Sequence, residues 1–76
     1  MEKAKFNKLV GNQICELRIQ KKLTQAELAN KIGKDYQSVQ RIELGKMNPT
    51  IFYLYEIAQA LEISLSELLD FKVPSN

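Results

Sequence analysis

Residues 24–45, TQAELANKIGKDYQSVQRIELG, decide how this chain is read. Thr24 followed three residues later by Glu27 is a capping box: the hydroxyl accepts from the Glu27 amide, and the carboxylate reaches back to the Thr24 amide. Leu28, Ala29 and Ile32 then recur at helical spacing. Gly33 stands where that helix must stop, because glycine enters a left-handed turn without a Cβ penalty. Asp35 is placed to cap a second helix, with Val39 and Ile42 as its inward residues.

Ala29 is small where a second helix must cross close to the first, Gly33 supplies the turn four residues later, and Val39 packs back six residues beyond it. Two short helices joined by a Gly-containing turn form a helix-turn-helix unit, whose second helix enters the major groove of DNA. At about 100° per residue, Gln37, Gln40 and Arg41 fall opposite Val39 and Ile42, with Tyr36 at the N-terminal edge and Leu44 near the far end. That outward side is amide-rich and carries a cation. Glutamine can bond adenine N6 and N7 together, and arginine can do the same with guanine O6 and N7. An ordinary solvated face has similar composition, since Gln and Arg are good helix formers. The Ala-Gly-Val spacing beside it favours base contact.

Around this pair the chain predicts further helices. Phe6, Val10, Ile14 and Leu17 share one face of a helix expected from Phe6 to Lys22, preceded by a flexible arm at residues 1–5 whose lysines could reach phosphates. Gly11 within it permits close approach of another helix. Gly45 and Asn48-Pro49 mark a loop carrying Lys46. Thr50 caps a helix over about 51–61, with Leu54, Ile57, Ala58 and Leu61 as its buried stripe and Phe52, Tyr53 and Tyr55 on other faces. Ser64 and Glu67 form a second capping box for a short last helix. Leu68, Leu69, Phe71 and Val73 exceed what that helix needs, which suggests a partner surface or a return onto the first helix. Residues 74–76 read as a loose end.

A chain of 76 residues with 45% hydrophobic and 26% charged residues is one domain of ordinary globular composition. The net charge of +2 is unevenly spread: residues 1–50 hold ten Lys/Arg against five Asp/Glu, and residues 51–76 hold one against four. A basic front and acidic back suit a protein that turns one side to a polyanion. The single cysteine, Cys15, excludes an internal disulfide and reads as a small, partly buried side chain in a reducing compartment. The polar N-terminus and the lack of a long apolar run point to a cytoplasmic protein without membrane partners. There is no histidine, no Gly-rich phosphate loop and no acid pair set for proton transfer, so no enzyme, metal or cofactor is expected.

These residues resemble a known family. Leu23-Thr24-Gln25-Ala26-Glu27-Leu28-Ala29, Gly33, Ser38-Val39, Arg41-Ile42-Glu43, Gly45-Lys46 and Asn48-Pro49 are similar to the Cro-type, phage-repressor or XRE class of helix-turn-helix proteins, and the likeness extends loosely from Phe6 to Leu69. The resemblance implies an all-α, compact five-helix, lambda-repressor-like DNA-binding domain. It implies base readers at Tyr36, Gln37, Gln40 and Arg41, and backbone contacts at Thr24, Gln25, Ser38, Lys46 and Asn48. Arg18 and Glu43 match a structural ion pair between the first and third helices. Leu44 and Met47 replace residues that are commonly polar, giving a less polar rim. The resulting expectation is a sequence-specific regulator of transcription, a repressor, acting as a homodimer on palindromic double-stranded DNA, with Leu68, Leu69, Phe71 and Val73 as its self-association surface. Two variants share this class: an antitoxin or controller of a small operon, and the DNA-binding part of a longer repressor. The start at Met1 favours a free-standing protein. A rival of another class is a protein-interaction module on the same fold.

Overall fold

A computed structural model describes residues 1–74 as five helices: α1 Lys3–Gln20, α2 Gln25–Lys31, α3 Tyr36–Glu43, α4 Ile51–Ala60 and α5 Leu65–Leu68, with no strand among the described residues. The all-α, five-helix expectation therefore holds. Residues 75–76, part of the expected loose end, lie outside the described residues.

Each helix start after the first is set locally. Thr24 and Ser64 form complete capping boxes, and Asp35 and Thr50 accept from the Ser38 and Tyr53 amides. The helix ends are equally regular. Leu23, Lys34, Lys46 and Ile63 donate their amides to Arg18, Ala29, Arg41 and Ala58, each closing a Schellman turn. The residue that turns left-handed is Gly33 (φ 68°) or Gly45 (φ 76°) in two of them, but Lys22 (φ 60°) and Glu62 (φ 59°) in the other two. Lys22 is therefore past the end of α1, not within it.

Helix α1 also begins earlier than expected, at Lys3 rather than Phe6, so residues 3–5 are helical and not an arm. Lys-Ala-Lys is a good helix-forming run, and the Phe6 amide already donates to the Glu2 carbonyl at 3.0 Å. Of the expected apolar face, Val10 and Ile14 are buried and Leu17 packs against the core, but Phe6 is 41% exposed. It tilts against Phe71, ring centres 6.4 Å apart.

The core joins all five helices through Val10, Ile14, Leu28, Ala29, Val39, Ile42, Tyr53, Leu54, Ile57, Ala58, Leu61 and Leu68. Gly11 is where α1 and α3 come closest: a Cβ there would meet the carbonyl oxygens of Ile42 and Glu43 at under 3.0 Å. Tyr53 corrects the expected pattern, being 7% exposed. It stands four residues before Ile57, on the buried side of α4, with the Lys34 ammonium 5.2 Å above its ring. Phe52 and Tyr55 remain exposed.

Leu68 also departs from expectation. It is 1% exposed and belongs to the chain's own core, so it is not free to meet a partner. The segment after α5 is tied back to α1, because the Gln13 side-chain amide donates to the Asp70 carbonyl at 3.3 Å. Phe71 is half-buried, and only Leu69 (37%) and Val73 (50%) of the four expected surface residues are exposed.

Candidate nucleic-acid interface

Helix α3 is held by its inner side. Val39 and Ile42 are each 1% exposed, and Glu43, one residue on, is 8% exposed. A buried carboxylate is costly unless it is paired and hydrogen-bonded. Glu43 is both. Arg18 donates through Nε to Oε2 at 2.7 Å and through Nη2 to Oε1 at 3.0 Å, a two-point bond from α1. Gln25, the first residue of α2, donates its side-chain amide to Oε1 at 2.9 Å. Arg18 Nη1 spends a further donor on the Leu23 carbonyl at 2.8 Å, between α1 and α2. One carboxylate thus fixes α3 against both preceding helices.

The same network sets the chemistry of Cys15. Its Sγ lies 3.6 Å from Arg18 Nη2, yet burial and then the Glu43 charge push the thiol above its ordinary range. The bond to Glu43 raises the Arg18 guanidinium further, keeping it charged. A thiol held protonated is a poor nucleophile, in keeping with a packing role.

Opposite the clamp, α3 is open. Tyr36 is 47% exposed, Gln37 and Arg41 are exposed, and Ser38 and Gln40 are half-buried. Gln40 is less open than Gln37 and Arg41 because, three residues before the buried Glu43, it lies only about 60° from it on the flank of the helix. With Asp35 and Met47, the residues Gln37, Ser38, Gln40 and Arg41 line an open depression of about 530 Å³. Asp35 adds an acid to this rim, but its Oδ1 already accepts from the Ser38 amide at 2.9 Å.

The expected backbone-contacting residues are spread around this face. Thr24, Lys46 and Asn48 are exposed, and Ser38 and Gln25 are half-buried. Thr24 uses its hydroxyl oxygen as an acceptor for the Glu27 amide at 3.0 Å, which leaves its O–H to donate. Gln25 has given one amide hydrogen to Glu43 and keeps the other. Met47, expected with Leu44 to make the rim less polar, does line the depression, whereas sequence reasoning did not single out Lys34, an exposed cation in the α2–α3 turn. The signal for Lys34 was its place next to Gly33. Among the described residues no cluster of His, Cys, Asp or Glu could hold a metal ion, and no helix is long and apolar enough to cross a membrane.

The comparisons with known proteins agree with this geometry. The family described as HTH_3, helix-turn-helix, matches residues 15–68. An uncharacterised HTH-type transcriptional regulator of Sinorhizobium fredii is 45% identical over 64 residues, covering 84% of this chain and 83% of the relative. The cryptic phage CTXphi transcriptional repressor RstR of Vibrio cholerae is 47% identical over 45 residues, which are 59% of this chain and 40% of that protein. The crystal structure of the restriction-modification controller protein C.AhdI of Aeromonas hydrophila superposes with a TM-score of 0.85 at 31% identity, covering 90% of this chain and 99% of that one. The buried clamp, the open face of α3 and these likenesses together place the chain in the HTH_3, XRE-type helix-turn-helix family of DNA-binding transcriptional regulators.

Proposed function

We propose that α3 enters the major groove of double-stranded DNA and reads sequence there through Gln37, Gln40 and Arg41, with Tyr36 at the leading edge against a sugar or a thymine methyl. Thr24, Gln25, Ser38, Lys46 and Asn48 hold the phosphates on either side. The observation that carries this reading is the two-sidedness of α3, its polar face open and its opposite face locked by the Arg18–Glu43–Gln25 network. Direct readout needs such a fixed helix, because a bidentate contact is lost when the donor shifts by a fraction of its bond length. The chain acts as a homodimer on a palindromic operator, with half-sites about 34–36 Å apart. It regulates the operon that carries the operator, in the manner of a repressor or a controller protein.

Selection of bound duplexes from a random library, followed by anisotropy titration of the winner in rising salt, tests this. A symmetric site with affinity falling steeply as salt rises is the expected result. No enrichment and no salt-dependent binding would sink it in favour of a protein-interaction module.

A further inference from the structure

We infer that α1 is a further DNA-binding element: its exposed stripe of Lys5, Lys8 and Asn12 holds phosphates of the strand that passes the C-terminal end of α3, alongside Lys46. This rests on the DNA reading above and extends its contact surface onto a second helix. The buried residues of α1 are Asn7, Val10, Gly11 and Ile14, which fixes how the helix is turned. On one flank, Phe6 and Gln13 meet the segment after α5. On the other, Gly11 lies against the Ile42 and Glu43 carbonyls, and Lys8 lies against Gly45. At about 100° per residue, Lys8, Asn12 and Lys5 fall within about 60° of arc on that second flank, the side of the α3 terminus. All three are exposed.

Gly45 is what brings two lysines together. It is left-handed, at φ 76°, and a Cβ on it would meet the Lys8 Cα at 2.8 Å and the Lys8 amide nitrogen at 3.0 Å. The loop after α3 is therefore pressed onto the backbone of α1, and Lys46 follows one Cα step, about 3.8 Å, further on. Lys46 and Lys8 thus leave the backbone close together, both exposed. Among the described residues neither forms an ion pair; the one ion pair there joins Arg18 to Glu43.

Charge selects phosphate as the occupant. Among the residues assigned above to DNA, only Arg41 and Lys46 are cations. Each cation that neutralises a phosphate adds about 0.9 to the salt slope, so two of them alone give a shallow one. Other cations of the basic front are placed elsewhere. Arg18 is spent on Glu43, Lys21 and Lys31 border grooves that also hold Glu56 or Glu62, and Lys34 lies over the Tyr53 ring. On α1, Glu2 at the N-cap and Glu16 one turn past Asn12 bound the stripe at its two ends, and no acid lies between Lys5 and Asn12. Lysine ammoniums on flexible stems suit phosphate oxygens, and Asn12 adds a neutral donor.

Anisotropy titration of the full chain between about 50 and 200 mM salt tests this, on the duplex enriched from the random library and on a random-sequence duplex. Wild-type affinity should fall steeply on both. In Lys8→Gln the fall over that range should shrink by about 3.5-fold, and in Lys5→Gln/Lys8→Gln by about 12-fold, on both duplexes alike, because a phosphate contact carries no sequence information. Base preference in a repeated selection should match the parent, and Lys21→Gln should leave the slope unchanged. Thermal melts expose a merely structural role, in which Lys8 only steadies the negative end of α3: its loss would lower the melting temperature and leave the salt slope alone. A wild type with steep salt dependence whose Lys8→Gln and double variants keep the same slope overturns the proposal. A changed base preference in Lys8→Gln does so too. A wild type that binds no duplex at any salt overturns the DNA reading, and this contact with it.

Discussion

Arg18→Met is the sharpest test of how α3 is positioned. The substitution keeps most of the aliphatic packing and removes the charge. It leaves Glu43, whose side chain is 5% exposed, with only the Gln25 amide as a donor. Breaking a buried pair by removing one partner costs about 3–5 kcal/mol. The Arg18 side chain is itself 11% exposed, so water can partly reach the site and the lower figure, about 3 kcal/mol, applies. A chain of this length has a total stability of about 4–11 kcal/mol. The loss is therefore a large fraction of the whole, and the melting temperature should fall by about 12–24 °C. The companion variant Arg18→Met/Glu43→Leu removes both charges and should recover most of the loss, because a buried pair can be replaced by apolar residues at little net cost. Urea unfolding followed by circular dichroism gives both numbers. A loss under about 1 kcal/mol for Arg18→Met, the value of a surface pair, would refute the clamp. So would a double variant no more stable than the single one.

Arg41→Ala should weaken operator binding by about 1–3 kcal/mol and relax preference at one base pair, read by site selection with the variant. Gly11→Ala drives a Cβ into the Ile42 and Glu43 carbonyls and should destabilise by about 1–3 kcal/mol or more, because backbone on both sides must move. Glu62→Gly should stabilise by about 0.5–1 kcal/mol in thermal melts, since Glu62 alone closes α4 with a left-handed φ of 59° that a side chain resists. Iodoacetamide at pH 8 should label Cys15 more slowly in the folded chain than in urea, since the fold raises its pKa and keeps it as thiol; equal rates would contradict the buried network.

What the residues alone determined lies within a turn or two of chain. Thr24 with Glu27, Asp35, Thr50, and Ser64 with Glu67 cap helices because a side-chain oxygen and an amide three residues away need nothing else to meet. Gly33 and the Val39/Ile42 spacing marked the turn and the inner side of α3 for the same local reason. The pairing of Arg18 with Glu43 spans 25 residues, and only a resemblance to relatives suggested it. Tertiary packing decided the rest. Tyr53 and Leu68 went inside, and Phe6 stayed half outside. Helical periodicity ranks apolar positions on one cylinder but does not say how wide a stripe the neighbouring helices will cover. That width is set by where other elements pack, and here α5 packs on α4 and α1 and buries Leu68, while Phe52 and Tyr55 are left to solvent.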